Sequence, residues 1–306
     1  MSSNLTLRKF DPRKMERQRI DPKKGPPTVL LIGSKRTGKS TLMQCLIYYL
    51  RKIPSGIIVT GSLNSEEQFS SFFPRCFIFN TLDKSMTDRI SKIMNEQEKR
   101  NEQHKQKYGK HAKEHSKEYY STMILMDDCG YDTAYFRGNK TINRLFMNGR
   151  HYNVLNIISL QYCKSIPPDL RKNADYVFIM REPSIKERKK LYDEFAGIVP
   201  SFSNFCSIMD SCTENYQCLV IDKTVVQSNK LSDNIFFFKA DYPPKKFKAC
   251  CKEAWEYNDE CFNIQRRILK NTKVKKNGSN SDSNLTKKKS KKKKRRKKGN
   301  EKVIHL

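Results

Sequence analysis

Residues 33–40 read Gly-Ser-Lys-Arg-Thr-Gly-Lys-Ser, and they constrain this chain more than any other eight residues in it. The apolar run Val29-Leu30-Leu31-Ile32 precedes them, and a stretch with helical apolar spacing, from Thr41 to Leu50, follows. A G-x-x-x-x-G-K-[ST] pattern set between a strand and a helix is the signature of a loop that cradles phosphate. Gly33 and Gly38 leave room for backbone N–H groups to close around β- and γ-phosphates, where a side chain would collide. Ser34, Lys35, Arg36 and Thr37 supply the rest of that cradle, and Thr41 stands in the first helical turn behind it. The helix opening near Lys39 turns its positive end toward the same anion. Lys39 can then reach the β/γ oxygens of ATP, and the Ser40 hydroxyl can ligate Mg²⁺. The plainer alternative is a glycine-containing turn joining a strand to a helix.

Around this loop, short apolar runs alternate with helical stretches from about residue 28 to 240, the pattern of an α/β domain built on a mainly parallel sheet. Strands are expected at Thr28–Ile32, Gly56–Gly61, Cys76–Phe79, Thr122–Asp127, Val154–Leu160 and Tyr176–Met180, with helices at 39–52, 85–105, 139–150 and 184–196. Continuously apolar strands imply helices on both faces of the sheet. Two further strands, Tyr216–Asp222 and Asn234–Lys239, flank a polar turn, and 241–270 contains a terminal helix carrying Trp255. Residues 1–27 are polar, basic and aperiodic, which reads as an extended arm. The polar stretch 95–120 reads as the exposed end of a long helix or as an insertion. Residues 271–306 pass from Asn, Ser and Gly into a lysine run and hold too few apolar groups to offset chain entropy, so disorder is expected there.

The chain has 306 residues and a formal charge of +29. Residues 287–298 are basic at eleven of twelve positions, and the remainder still carries a positive surplus. Such a field attracts phosphate backbones and anionic surfaces and says nothing about fold. The lysine run alone fits a nuclear-localisation signal, a charge tether or a solvated tail. No apolar run is long enough to span a bilayer, and the first residues lack the apolar stretch of a secretory signal. None of the ten cysteines forms a C-x-x-C pair, so reduced thiols are expected rather than a zinc site.

A nucleotide site needs a metal-associated acid, and Met123-Ile124-Leu125-Met126-Asp127-Asp128 supplies two. A buried strand would deliver Asp127 to its carboxyl end beside the phosphate loop, to hold Mg²⁺ directly or through water. Asp128 would face the space beyond the γ-phosphate and polarise a water for in-line attack. A strand ended by turn-forming acids is the alternative. The run from Asn153 to Gln161 is another buried strand ending in an amide, placed where Gln161 can touch both the γ-phosphate and the attacking water.

The order G-S-K-R-T-G-K-S, I-L-M-D-D, L-F-M-N-G-R-H-Y-N-V-L-N-I-I-S-L-Q-Y, I-P-P-D-L-R-K-N-A-D-Y-V-F resembles the FtsK–HerA group of P-loop ATPases. More narrowly it is similar to the poxvirus-type genome-packaging ATPases of nucleocytoplasmic large DNA viruses. The resemblance covers roughly residues 28–240. It implies a sheet in which the catalytic acid and the phosphate loop lie on strands separated by one other strand. It implies Lys39 and Ser40 as the phosphate lysine and magnesium hydroxyl, Asp127 as the magnesium acid, Gln161 as the sensor, and Asp128 where many relatives have glutamate as general base. It implies that Arg150 completes a neighbour's ATP site, with Arg171 the second candidate and Arg144 the third. A homo-oligomeric ring threading double-stranded DNA, docked on a viral capsid or membrane component, comes with it. So does a location in the host cytoplasm, at the viral factory, and in the virion. A different class of reading is a basic nucleic-acid-binding protein whose NTP site is a switch or a vestige.

Overall fold

Parallel strands buried on both faces organise the computed structural model, which describes residues 7–112, 115, 120–129, 133–244 and 246–264. In chain order the strands are β1 (Arg8–Lys9), β2 (Thr28–Ile32), β3 (Ser55–Thr60), β4 (Ile78–Phe79), β5 (Thr122–Asp127), β6 (Val154–Leu160), β7 (Tyr176–Ile179), β8 (Gln217–Asp222) and β9 (Ile235–Lys239). The helices are α1 (Arg13–Arg19), α2 (Lys39–Tyr49), α3 (Leu63–Ser70), α4 (Lys84–Tyr108), α5 (Thr133–Gly138), α6 (Lys140–Asn148), α7 (Pro168–Lys172), α8 (Ile185–Phe195), α9 (Phe202–Cys212) and α10 (Leu231–Asn234). The strands form one sheet in the order β1-β9-β8-β7-β2-β6-β5-β3-β4. It is parallel except where β8 runs against β7 and β9. β6 therefore lies between the phosphate-loop strand β2 and the acid-bearing strand β5, as the resemblance implied.

Alternation along each strand splits the interior into two cores. Leu30, Ile32, Ile124, Met126 and Ile158 join Ile90 of α4, Leu145 of α6 and Phe205 of α9 on one face. Val29, Leu31, Leu125 and Ile157 join Met15 of α1, Leu46 of α2 and Phe69 of α3 on the other. Side-chain caps start several helices where the sequence changes period: Asp83 accepts from Met86 N at 2.9 Å, and Asn139 from Thr141 N at 3.0 Å.

Residues 7–27 are not an extended arm. β1 adds to the sheet edge beside β9, and Phe10 packs edge-on against Tyr176 and Phe178 with ring centroids 5.5 Å from each. Met15 is fully buried, Gln18 accepts a 2.7 Å hydrogen bond from the Tyr176 hydroxyl, and Lys14 bonds the buried carboxylate of Asp222. Only a few buried side chains in a basic stretch do this work, too few to make a period. The polar stretch after residue 95 continues α4 to Tyr108 and is docked rather than loose. Asn95 and Glu98 accept from Arg144, and Asn101 donates to His151 O at 2.9 Å and accepts from Asn153 at 2.7 Å. The terminal helix begins at 252, later than expected, and the lysine run and the 271–306 tail lie outside the described residues. The described residues up to 260 form one compact unit. No helix among the described residues is long and apolar enough to cross a membrane.

Since Phe10 is 3 % exposed among four aromatic rings, Phe10→Ala should cost about 3–5 kcal/mol, read as a lower urea midpoint at unchanged slope. A solvated arm would give a change within about 0.5 kcal/mol.

Candidate active site

Three strands place a row of polar side chains at the carboxyl edge of the sheet. Thr60 of β3, Asp127 of β5 and Ser159 of β6 pair in register, and their exposures are 0, 2 and 0 %. Their neighbours Val59, Met126 and Ile158 line the opposite core, so the polar row points to the face covered by α2. Burial pushes the Asp127 carboxyl above its ordinary range; the Ser159 and Ser65 hydroxyls and the Lys39 charge oppose the shift, and Asp128 reinforces it. The Ser159 hydroxyl faces that carboxylate without a well-formed hydrogen bond of its own. A buried hydroxyl left open beside a desolvated carboxylate is the surrounding that a hydrated divalent cation completes. Ser40, in the first turn of α2, lines the same cavity as Asp127, so the oxygen donors fit Mg²⁺.

The phosphate loop leaves β2 hydrogen-bonded to the next strand, through Gly33 N to Leu160 O at 3.1 Å. Packing demands a glycine at 33: a Cβ there would meet Met180 Cβ at 2.5 Å and Thr37 Oγ1 at 2.9 Å. The approach of Met180, just beyond β7, thus demands glycine here in addition to the expected phosphate clearance. Gly38 has the conformational reason, a φ of +96° at the N-cap of α2. Arg36 is also left-handed, at φ +65°. Thr37 Oγ1 donates to Ser34 O at 2.8 Å. Lys39 is 9 % exposed and its Nζ donates to Gly33 O at 2.5 Å and Ser34 O at 2.9 Å. Desolvation lowers the Lys39 pKa, and Asp128 and then Asp127 pull it back up. An ammonium and a carboxylate, each costly to bury alone, share one pocket.

Asp128 leaves β5 with a left-handed φ of +54°, and it lines the same cavity as Asp127 and Lys39. Gln161, at the end of β6, donates from Nε2 to Asp128 Oδ1 at 2.6 Å. Lys35, Arg36, Gly38, Ser40, Thr41 and both aspartates line one cavity of about 1010 Å³, which also takes in the Ser62–Ser65 turn and, on the far side, Tyr216 and Tyr242. Sequence reasoning missed Thr60, Ser65, Ser159 and Tyr216. For Ser159 a signal existed: it stands two residues before Gln161 and so shares its side of a strand.

The arginines separate. Arg150 is exposed in the 3-10 turn Gly149–Tyr152 that precedes β6. That is the amino edge of the sheet, roughly 20 Å along β6 from the end that carries Gln161. Its backbone is gripped by Gly25, at φ +71°, where a Cβ would meet Arg150 O at 2.9 Å. Arg150 cannot serve the phosphate loop of its own chain. Arg171, expected as the second candidate, is 4 % exposed and engaged within its own chain. It bonds both oxygens of Glu194, at 3.1 and 2.7 Å, and the carbonyls of Cys163 and Ile166. This clamp between α7 and α8 presents no guanidinium edge to a neighbour. Arg144 bonds Tyr152, Asn95 and Glu98.

A family model described as Poxvirus A32 protein matches residues 15–241. The chain belongs to this family. It is 33 % identical over 241 residues to uncharacterized protein 075L of Invertebrate iridescent virus 6, spanning 78 % of this chain and 87 % of that one. It is 29 % identical over 269 residues to uncharacterized protein L437 of Acanthamoeba polyphaga mimivirus, spanning 85 % and 91 %. Among solved structures it is similar to the genome packaging NTPase B204 from Sulfolobus turreted icosahedral virus 2 in complex with AMP, with a TM-score of 0.47 and 18 % identity over 70 % of this chain and 98 % of that one. It is also similar to EssC (ATPases 2 and 3) from Geobacillus thermodenitrificans, with a TM-score of 0.48 and 14 % identity over 80 % and 44 %. Membership in the family agrees with the resemblance carried by the motif order, and the match starts inside α1, upstream of the expected boundary at 28.

Because the folded pKa of Asp127 lies above the unfolded one, its ionised form costs stability, a cost absent below the unfolded pKa and complete above the folded one. Asp127→Asn should therefore raise the Tm of the nucleotide-free protein at neutral pH by roughly 2–4 °C, with the gain shrinking as pH falls toward 4. The same variant should lose Mn²⁺-dependent nucleotide binding. Differential scanning calorimetry across pH reads the first effect and titration the second.

Proposed function

We propose that this chain is an ATP-hydrolysing DNA translocase that packages viral double-stranded DNA into a capsid. The hydrogen bond from Gln161 to Asp128, beside a complete phosphate loop, carries the reading. A vestigial site has no reason to keep a left-handed aspartate and a buried Lys39 in one cavity, with Gln161 bonded to that aspartate. The packaging role rests on the resemblance and on membership in the family. The positive surplus suits a motor that grips phosphates without reading bases.

In this mechanism the backbone of residues 33–39 and the Lys39 ammonium hold the β- and γ-phosphates of ATP. Ser40 and Asp127 hold Mg²⁺, which when bound supplies positive charge at the phosphate oxygens. The Asp128 carboxylate accepts the proton of a water in line with the γ-phosphorus, and Gln161, bonded through its amide nitrogen, keeps its carbonyl for that same water. Gln161 then reports loss of the γ-phosphate to β6. Arg150 stands at the amino edge, so in a ring it would meet a neighbour's carboxyl edge and stabilise charge on the transferring phosphoryl group there. Each site is thus half built by one chain and completed by the next.

Purified protein should hydrolyse ATP faster with double-stranded DNA present. Lys39→Ala should abolish hydrolysis, and Asp128→Asn should cut kcat by about 10²-fold or more while ATP still binds. No hydrolysis under any condition, with no oligomer formed, would leave only the nucleic-acid-binding reading. Mixing tests the shared site. Lys39→Ala and Arg150→Ala, each inactive alone, should regain part of the hydrolysis when combined, since some interfaces then pair an intact loop with an intact arginine. No regain on mixing would rule out a site shared between chains, and full hydrolysis by Arg150→Ala alone would place Arg150 outside catalysis.

A further inference from the structure

Resting on the nucleotide reading of this cavity, we infer that the exposed face of Tyr216 is the platform on which the nucleobase stacks. The cavity does not end at the phosphate loop. It continues away from Asp127, past Gly38, to a wall made by Tyr216, Cys218, Lys239, Ala240 and Tyr242. β8 and β9 supply this wall because β8 pairs with β7, whose end abuts Gly33 through Met180. Two aromatic rings stand open in it, Tyr216 at 75 % and Tyr242 at 87 % exposure, in a protein that buries Phe69, Phe178 and Phe238 completely.

The Tyr216 backbone is also held in place. Asn215 and Tyr216 are consecutive non-glycine residues with left-handed φ, +51° and +61°, an unfavourable conformation for a bulky side chain. A 2.9 Å hydrogen bond from Gln217 N to Glu214 O closes that turn immediately before β8. It sets Tyr216 Cδ1 3.7 Å from where a Cβ on Gly38 would stand. One edge of the ring thus lies against the glycine that opens the anion-binding helix, and a face is left to the cavity. A nucleotide with its phosphates on the loop would run its sugar past Gly38 and lay its base on that face.

The chemistry of this wall gives the ligand class. Lys239 and two phenols are there, and among the described residues that line this wall none carries a carboxylate or carboxamide, Asp241 between Ala240 and Tyr242 lying outside the lining. Recognition by stacking area favours purine nucleoside triphosphates over pyrimidine ones and separates adenine from guanine poorly.

Titration of the full chain with ATP, GTP, CTP, UTP and inorganic tripolyphosphate tests this. The wild type should bind ATP and GTP within about threefold of each other and CTP and UTP several-fold more weakly. Tyr216→Ala should weaken ATP about tenfold and erase the purine preference while leaving tripolyphosphate binding unchanged, and Tyr216→Trp should keep both. Equal ATP affinity in Tyr216→Ala overturns the platform and leaves the nucleotide site standing. So does an equal loss of tripolyphosphate, which would make the ring a support for Gly38. A wild type that binds neither nucleotide nor tripolyphosphate overturns the site and the platform together.

Discussion

A carboxylate and an ammonium buried within one pocket are the constraint on which the rest of the structure depends. Asp127 is 2 % exposed and Lys39 9 %, and each is pushed toward its neutral form by the loss of water. The opposite charge in the pocket and, for Asp127, the hydroxyls of Ser159 and Ser65 offset part of that cost. That compensation exists only if β5 and β6 hold their register and α2 begins where β2 ends. A one-residue slip of β6 would turn Ser159 into the opposite core and move Gln161 off Asp128. The same row that makes the site possible also costs stability, which is the usual position of a functional carboxylate.

The sheet order then divides the work by edge. The phosphate loop, both aspartates and Gln161 collect at the carboxyl ends of parallel strands, as ligands in open α/β sheets do. Arg150 lies at the amino ends, held by the Gly25 turn and by the docked second half of α4, which meets His151 and Asn153. A hydrolytic site and an arginine on opposite edges of one sheet suit a repeating head-to-tail arrangement in which each chain offers one edge to the next. In the proposed motor, α4 and the 21–27 turn are therefore parts of the arginine's mounting.

Much of this was legible in the chain. β2, β5 and β6 were bounded correctly because continuous apolar runs ending in Gly, Asp or Gln mark buried parallel strands without ambiguity. Their burial and the Asp127–Lys39 proximity followed from motif spacing. The N-terminal segment was misjudged because Phe10, Met15 and Gln18 are isolated anchors in a basic stretch, and three anchors make no period. α3 and α7 were missed because helices of eight and five residues carry too little periodic signal. Gly33 has a packing reason beside the expected phosphate clearance, and no local pattern announces it, because Met180 arrives from the end of β7.

What the sequence alone determined is the set of side chains: a phosphate-loop pattern and, on two strands, the acids and amide proposed as metal acid, base and sensor, because such roles need particular residue types at short spacings along single strands. Tertiary structure alone decided which arginine is exposed, since Arg150 and Arg171 look alike in a basic chain and differ only in that Glu194 and two carbonyls enclose one of them. It also decided that Tyr216 borders the phosphate loop, across an antiparallel pairing of β7 and β8 that joins residues far apart in the chain. Local spacing encodes what a residue can do, and strand pairing over long separations decides what it can reach.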